Sequence, residues 1–192
     1  MRTILLLSLL FPVLLLAQEQ DYQKAKIDKP MTFSAFGNYS EPLMAGVSME
    51  FVYAEYKKKR FTALMTNVSA GMMTLESDVV GDIEGTGIVV ELGTRTYYQK
   101  GKAEGIYTES FLTYGNINFE EDTPLGTFDG RYAYWSLVNG NVGYKITLGD
   151  FCIDPSIGFA WKWEVKGRGD IDNKEFNNLV WRAGLKLGYR FN

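Results

Sequence analysis

Leu179-Val-Trp-Arg-Ala-Gly-Leu-Lys-Leu-Gly-Tyr-Arg-Phe191 is the stretch that decides the fold of this chain. Its odd positions, Leu179, Trp181, Ala183, Leu185, Leu187, Tyr189 and Phe191, are apolar or aromatic, while the even ones include Arg182, Gly184, Lys186, Gly188 and Arg190. A period of two belongs to a strand, because successive side chains of an extended chain point to opposite faces. With charge confined to one face, the strand suits a wall that has hydrocarbon on one side and a polar space on the other.

The same alternation runs upstream. Phe151, Ile153, Pro155, Ile157, Phe159, Trp161, Trp163 and Val165 alternate with Cys152, Asp154, Ser156, Gly158, Ala160, Lys162 and Glu164. Before them, Tyr132, Tyr134, Val138, Val142, Tyr144, Ile146 and Leu148 oppose Arg131, Asn139, Asn141, Gly143 and Lys145. Leu43, Ala45, Val47, Met49 and Phe51 oppose Gly46, Ser48 and Glu50, and Ile88, Val90 and Leu92 oppose Glu91, Gly93 and Arg95. Two further segments alternate poorly, since Met65, Asn67 and Ser69 share one face and Glu109 and Phe111 share another.

Eight strand-like segments follow from these patterns, at 30–39, 43–56, 60–72, 87–99, 104–118, 131–148, 150–165 and 178–192. Short connectors fall at 57–59, 100–103 and 149, and longer ones at 73–86, 119–130 and 166–177, with only 40–42 short on that second side. An even-stranded meander with turns at one end and loops at the other is the plan of a bacterial outer-membrane barrel, with both termini at the periplasmic end. The fold class expected is therefore all-β, an eight-stranded antiparallel up-and-down transmembrane β-barrel over residues 31–192.

A soluble lipocalin-like barrel would alternate too, with its apolar face inside. The residue types favour the membrane orientation. Glycines and charges of both signs suit a narrow lumen in which small residues make room and opposite charges pair. Trp161, Trp163, Trp181, Tyr132, Tyr134, Tyr189 and Phe191 on the other face suit interfacial aromatic girdles. The expected lumen set is Glu50, Glu91, Arg95, Arg131, Lys145, Asp154, Lys162, Glu164, Arg182, Lys186 and Arg190. Pairing between the last two strands brings Asp154 near Lys186 or Arg190, and sets Lys162 and Glu164 facing Arg182. Such a set reads as a structural salt-bridge network or, more sharply, as a proton or ion path.

Residues 1–17 have a basic start, an apolar block from Ile4 to Leu16 and Ala17 at the end, the layout of a cleaved secretory signal. Leu15 departs from the small-residue rule at the cut, and an uncleaved anchor is the alternative. Residues 18–30 are a polar periplasmic lead-in. A single cysteine, Cys152, rules out an intrachain disulfide framework. Twelve Tyr, twelve Phe, four Trp and 20 Gly against five Pro favour strands, and a net charge of −3 without a basic stripe argues against nucleic acid.

No histidine is present, which removes His-assisted nucleophiles, His zinc sites and Asp-His water activation. No spacing supports a Ser-Lys or carboxylate-pair alternative, so no enzyme activity, catalytic residue or cofactor is expected. Glu76, Asp78, Asp82, Glu84, Glu120, Glu121, Asp122 and Asp129 crowd the outer connectors. Carboxylates suit divalent cations at a lipopolysaccharide surface, but loop solubility explains them without a metal site. Asp170–Glu175 lacks the spacing of a calcium loop, Gly85-Thr86-Gly87 lacks a dinucleotide fingerprint, and Arg168-Gly169-Asp170 is too short to weigh.

With its signal, its alternating strands and its closing Gly184-Leu185-Lys186-Leu187-Gly188-Tyr189-Arg190-Phe191, the chain resembles small outer-membrane β-barrels of the OmpA-barrel, OmpX and OmpW type. Val142–Lys145 and Asp154–Gly158 look like the penultimate hairpin of outer-membrane barrels common in Bacteroidetes. The resemblance implies that Leu185, Leu187, Tyr189 and Phe191 form a signal for the barrel-assembly machinery. It also implies surroundings of outer-membrane lipid and lipopolysaccharide, and a structural or complex-accessory role with an unidentified membrane or periplasmic protein partner. A narrow pore or carrier for a small or hydrophobic molecule, and a soluble periplasmic ligand-binding barrel, are the alternatives.

Overall fold

The computed structural model describes residues 30–56, 60–77, 81–99, 102–123, 126–165, 167–169 and 176–191. The signal segment, the start of the lead-in, the lysines at 57–59 and residues 170–175 lie outside them.

Nine strands form one sheet: β1 (Met31–Tyr39), β2 (Leu43–Tyr56), β3 (Arg60–Ser77), β4 (Gly81–Tyr97), β5 (Gly105–Thr123), β6 (Gly126–Leu148), β7 (Phe151–Glu164), the two-residue β8 (Arg168–Gly169) and β9 (Leu179–Phe191). Each long strand pairs antiparallel with its neighbour, and β9 pairs with β1 from Met31↔Phe191 to Tyr39↔Ala183. The sheet thus closes on itself as a ring of eight long strands. Closure satisfies every backbone donor and acceptor that an open edge would leave bare, which a strand structure in hydrocarbon requires.

The two faces confirm the orientation of the wall. Outward residues such as Val47, Leu92, Val142, Ile157, Trp181 and Leu187 are exposed, whereas Glu50, Glu91, Arg95, Asp154 and Lys186 are buried inside. This inverts the polarity of a soluble protein, in which apolar groups go inside. An apolar exterior around a charged interior is stable only in a lipid solvent, and the molecule is a transmembrane β-barrel.

The sequence misplaces two features. The stretches 73–86 and 119–130, read as outer loops, are largely strand. β3, β4, β5 and β6 are 18, 17, 19 and 23 residues long, against 9 in β1. About 9–11 residues cross a bilayer, so these four strands stand well above the apolar belt at the loop end. There Met73, Leu75, Ile83 and Phe119 continue the inward face, while exposed Thr74, Glu76, Asp82, Glu84 and Glu120 look like loop in sequence.

The second correction concerns β6. Tyr132 and Tyr134 are buried inside, not on the lipid face, and Arg131 is exposed, not in the lumen. One extra residue in β6 shifts its register against both neighbours, between Glu109/Thr113 of β5 and between Trp135/Val138 within β6. At this bulge Leu137 and Val138 both face outward, and the alternation changes phase. Even positions point inward before it and odd positions after it.

Candidate functional site

Among the described residues, buried charged groups converge in the barrel interior, which is layered. At the end of the barrel where β1 begins and β9 ends, Val52, Ala63, Tyr97, Ala103 and Tyr107 form an apolar floor. At the loop end Leu75, Ile83, Ile117, Phe119, Tyr132 and Phe176 belong to a larger apolar cluster that fills the mouth. Phe176 comes from the segment after β8 and stacks on Phe119, with ring centroids 5.8 Å apart. The charged residues lie between these layers.

Arg95 is the hub of the lower cluster. Its Nε and Nη2 donate to Glu109 Oε2 at 2.9 and 2.7 Å, and its Nη1 donates to Glu50 Oε2 at 3.0 Å and Asp154 Oδ2 at 2.6 Å. Lys145 Nζ donates to the other Glu50 oxygen at 3.0 Å and to Thr32 Oγ1 at 2.9 Å. The Tyr97 hydroxyl donates to Glu50 Oε1 at 2.8 Å, and that of Tyr107 donates to Asp154. The guanidinium carbon lies 3.7 Å from the Tyr107 ring centroid, so an aromatic face covers the hub.

A second cluster sits nearer the loop end. Arg182 Nη1 meets Glu91 Oε1 at 2.8 Å. Asn67 Nδ2 and Thr113 Oγ1 also donate to the Glu91 carboxylate, at 2.8 and 3.1 Å. Lys186 Nζ, from the same strand as Arg182, approaches Glu109 of the lower cluster at 3.7 Å. Across both clusters four carboxylates, Glu50, Glu91, Glu109 and Asp154, meet four cations, Arg95, Lys145, Arg182 and Lys186. Charges in so enclosed a space must balance, since each unpaired ion would carry a desolvation cost of several kcal/mol.

Lys162 lies apart, among the rings of the mouth. Its Nζ is 3.5 Å from Glu41 and within 5.7 Å of the ring centroids of Tyr132 and Tyr134. Glu164 and Arg190 are half-buried, and Arg131 lies outside with its Nε donating to Asn118 Oδ1 at 2.8 Å.

The pairs expected from adjacent strands are not the ones formed. Asp154 and Lys186 are backbone partners, yet Asp154 binds Arg95. Arg182 binds Glu91 of β4, across the lumen. In a ring of eight strands opposite walls lie within side-chain reach, so long side chains pair across the lumen. Glu109, Asn67, Tyr97 and Tyr107 escaped the sequence reading. Glu109 carried a usable signal, its inward parity with Tyr107, Phe111 and Thr113.

Two small cavities lie among the described residues. A cavity of about 10 Å³ lies beside Asn67, Asn141 and Lys186, and one of about 20 Å³ beside Ser136, Lys162 and Arg182. Either holds a water molecule or two at most. Among the described residues no three His, Cys, Asp or Glu side chains are placed to hold a metal ion. Nor is any helix there long and apolar enough to cross a membrane.

No family model and no curated protein matches the sequence. Among solved structures, the chain is similar to the N-terminal β-barrel domain of Pseudomonas aeruginosa OprF at 18% identity and a TM-score of 0.48, over 84% of this chain and 97% of that one. It is similar to the attachment invasion locus protein Ail of Yersinia pestis at 13% identity and 0.46, over 85% and 97%. Neisserial surface protein A aligns at 8% identity and 0.41, over 87% and 98%. The class of this protein rests on its closed ring, apolar outside and charged within.

Proposed function

We propose that the protein is an integral outer-membrane barrel that does no catalysis and serves the envelope, or a larger complex within it, through its loop-end extensions and its turns. The observation that carries this reading is the filled lumen. An apolar floor, eight paired charges and an apolar mouth occupy the interior, which leaves the extended β3–β6 walls as the part available to partners. Planar-bilayer recording of the refolded barrel tests it: no steady conductance is expected. A large, stable conductance that disappears in Arg182→Ala would establish the pore reading instead.

The alternative of a narrow carrier draws on the two small cavities, and liposome flux of small apolar solutes is its test. The soluble binding barrel is disfavoured by the exposed apolar belt. Recovery of the protein in the carbonate-soluble fraction, without heat-modifiable gel migration, would revive it. Lipid and lipopolysaccharide fit the outer face, and periplasmic termini fit a barrel with its long strands extended outward. Protease protection of tagged termini in intact cells tests that orientation. Leu185, Leu187, Tyr189 and Phe191 all face outward on β9, available to the assembly machinery before closure. Phe191→Ala is expected to slow membrane assembly while leaving the finished barrel stable.

A further inference from the structure

At the loop end the long strands outrun their neighbours and leave two outer edges. β7 accompanies β6 only as far as Tyr134↔Glu164, while β6 extends beyond it to Gly126. The chain covers this edge itself, because Val165 N donates to Ala133 O at 2.9 Å and β8 pairs Arg168 with Arg131 and Gly169 with Gly130. β2 accompanies β3 only as far as Leu43↔Met72, and β3 extends beyond it to Ser77. Among the described residues, 73–77 pair with β4 alone. The β4–β5 ladder ends at Gly85↔Phe119. Above it the β3–β4 hairpin is a two-stranded ribbon, a form with little stability of its own.

The backbone groups that face the β3 edge follow from Val68. A Cβ on Gly46 would run into the Val68 carbonyl oxygen, so Val68 points its carbonyl toward β2. In an antiparallel strand the N–H and C=O of one residue point the same way, and the direction alternates along the chain. β3 keeps an unbroken register with β4 from Phe61 to Ser77, so the phase carries on to Thr74 and Glu76. Each of these two residues therefore turns an N–H and a C=O to the open side. Natural sheets blunt such an edge with lysine, proline or a bulge. Residues 73–77 hold neither lysine nor proline, and no register shift interrupts them.

We propose that the β3 edge takes up an extended segment of a partner protein as an added strand, one that alternates basic and apolar residues. This rests on the reading of the barrel as an envelope protein that acts through its loop-end extensions, and it names the partner's chemistry. Main-chain bonds to Thr74 and Glu76 supply the pairing, and the two faces select the side chains. The outer face carries exposed Glu76, Asp82 and Glu84, with no lysine or arginine anywhere from 73 to 88, so basic residues match it. The inner face carries buried Met73 and Leu75, beside which apolar residues fit. A second copy of the same edge would bring acidic faces together, so the occupant is a different chain.

The probe is a capped heptapeptide of alternating lysine and valine, added to the barrel refolded in zwitterionic micelles. Saturable binding is expected, with the Thr74 and Glu76 amides becoming protected from hydrogen exchange. The same peptide with its backbone N-methylated keeps the charge and loses the donors, and is expected not to bind. Nor is a glutamate-valine peptide. Thr74→Pro removes one N–H from the edge, a place where sheets tolerate proline, and is expected to weaken binding about tenfold or more with heat-modifiable migration unchanged. Glu76→Gln leaves the backbone alone and is expected to weaken binding less while lowering its salt dependence. Equal binding of the N-methylated peptide overturns the proposal independently of any variant. So does undiminished binding to a folded Thr74→Pro barrel, or protection of the Thr74 and Glu76 amides before peptide is added. A folded barrel that binds no peptide also overturns it and leaves the envelope reading intact, since that reading fails separately on a steady conductance.

Discussion

The Asn139 side chain grips both backbone groups of Phe111: its Oδ1 accepts from Phe111 N at 2.7 Å, and its Nδ2 donates to Phe111 O at 2.6 Å. Phe111 sits where the β5–β6 ladder is interrupted between Glu109 and Thr113. The amide has the same donor and acceptor as a peptide unit, so it stands in for the ladder bonds that the β6 bulge removes. Asn139→Ala leaves a backbone N–H and C=O unpaired inside the wall. The expected loss is about 1–3 kcal/mol, measurable by reversible urea unfolding in lipid vesicles. An unchanged midpoint would show that the bulge needs no such support.

The same bulge marks where the sequence stops being legible. β7 and β9 carry one kind of residue on each face from end to end, so period two reveals them. β6 also looks regular, but Tyr132 and Tyr134 belong to the opposite face from Tyr144 and Ile146. Leu137 and Val138, the consecutive outward residues that mark the change, have no feature that distinguishes them from ordinary strand residues. β3 and β5 fail for another reason. Met73, Leu75, Ile117 and Phe119 fill the mouth, so their inward faces turn from polar to apolar along the strand and the contrast between faces fades. Pairing across the lumen was beyond reach altogether, because Arg95 and Asp154 meet only after the ring has closed.

Arg95 is the least replaceable residue of the interior. Three carboxylates converge on its guanidinium, and its side chain is fully buried. Arg95→Met would leave Glu50, Glu109 and Asp154 together with only Lys145 beside Glu50 and the more distant Lys186 beside Glu109 as compensating cations. Removing one partner of a buried ion pair costs about 3–5 kcal/mol, and the shared role puts this variant at the upper end. Heat-modifiable migration is expected to shift to a markedly lower temperature. Arg95→Lys recovers only part of the loss, since a single ammonium cannot reproduce the two guanidinium donors that converge on Glu109 Oε2 while also reaching Glu50 and Asp154. Equal stability of the two variants would mean that charge alone matters.

The lipid-facing belt ends at different heights on different strands. Ile157 of β7 is 70% exposed and flanked by Val142 and Ala183 in the neighbouring strands. Ile157→Arg is expected to destabilise by about 2–4 kcal/mol if the site lies near the bilayer centre. Thr86, also outward on β4, is flanked by Met72 and Asn118 where acidic residues begin to line the outer surface. Thr86→Arg is expected to cost about 0–1 kcal/mol. Unfolding in vesicles compares the two, and similar costs would mean that the belt runs higher on β4 than its residues indicate.

Gly143 shows why the lumen wall needs glycine at particular points. It pairs with Tyr107 on β5 and Ser156 on β7. A Cβ at Gly143 would collide with the Tyr107 ring and lie 2.8 Å from the Pro155 carbonyl oxygen. The ring has nowhere to retreat: its hydroxyl holds Asp154, and its face covers Arg95. Gly143→Ala therefore acts on the charge hub indirectly, by displacing Tyr107 within the lumen. Overpacking of this kind costs about 1–3 kcal/mol, and Tyr107→Phe should cost less, since it keeps the ring in place. If the collision is the cause, Gly143→Ala combined with Tyr107→Ala falls short of the sum of the two single losses. Strict additivity in a double-mutant cycle would show that Gly143 and Tyr107 act independently.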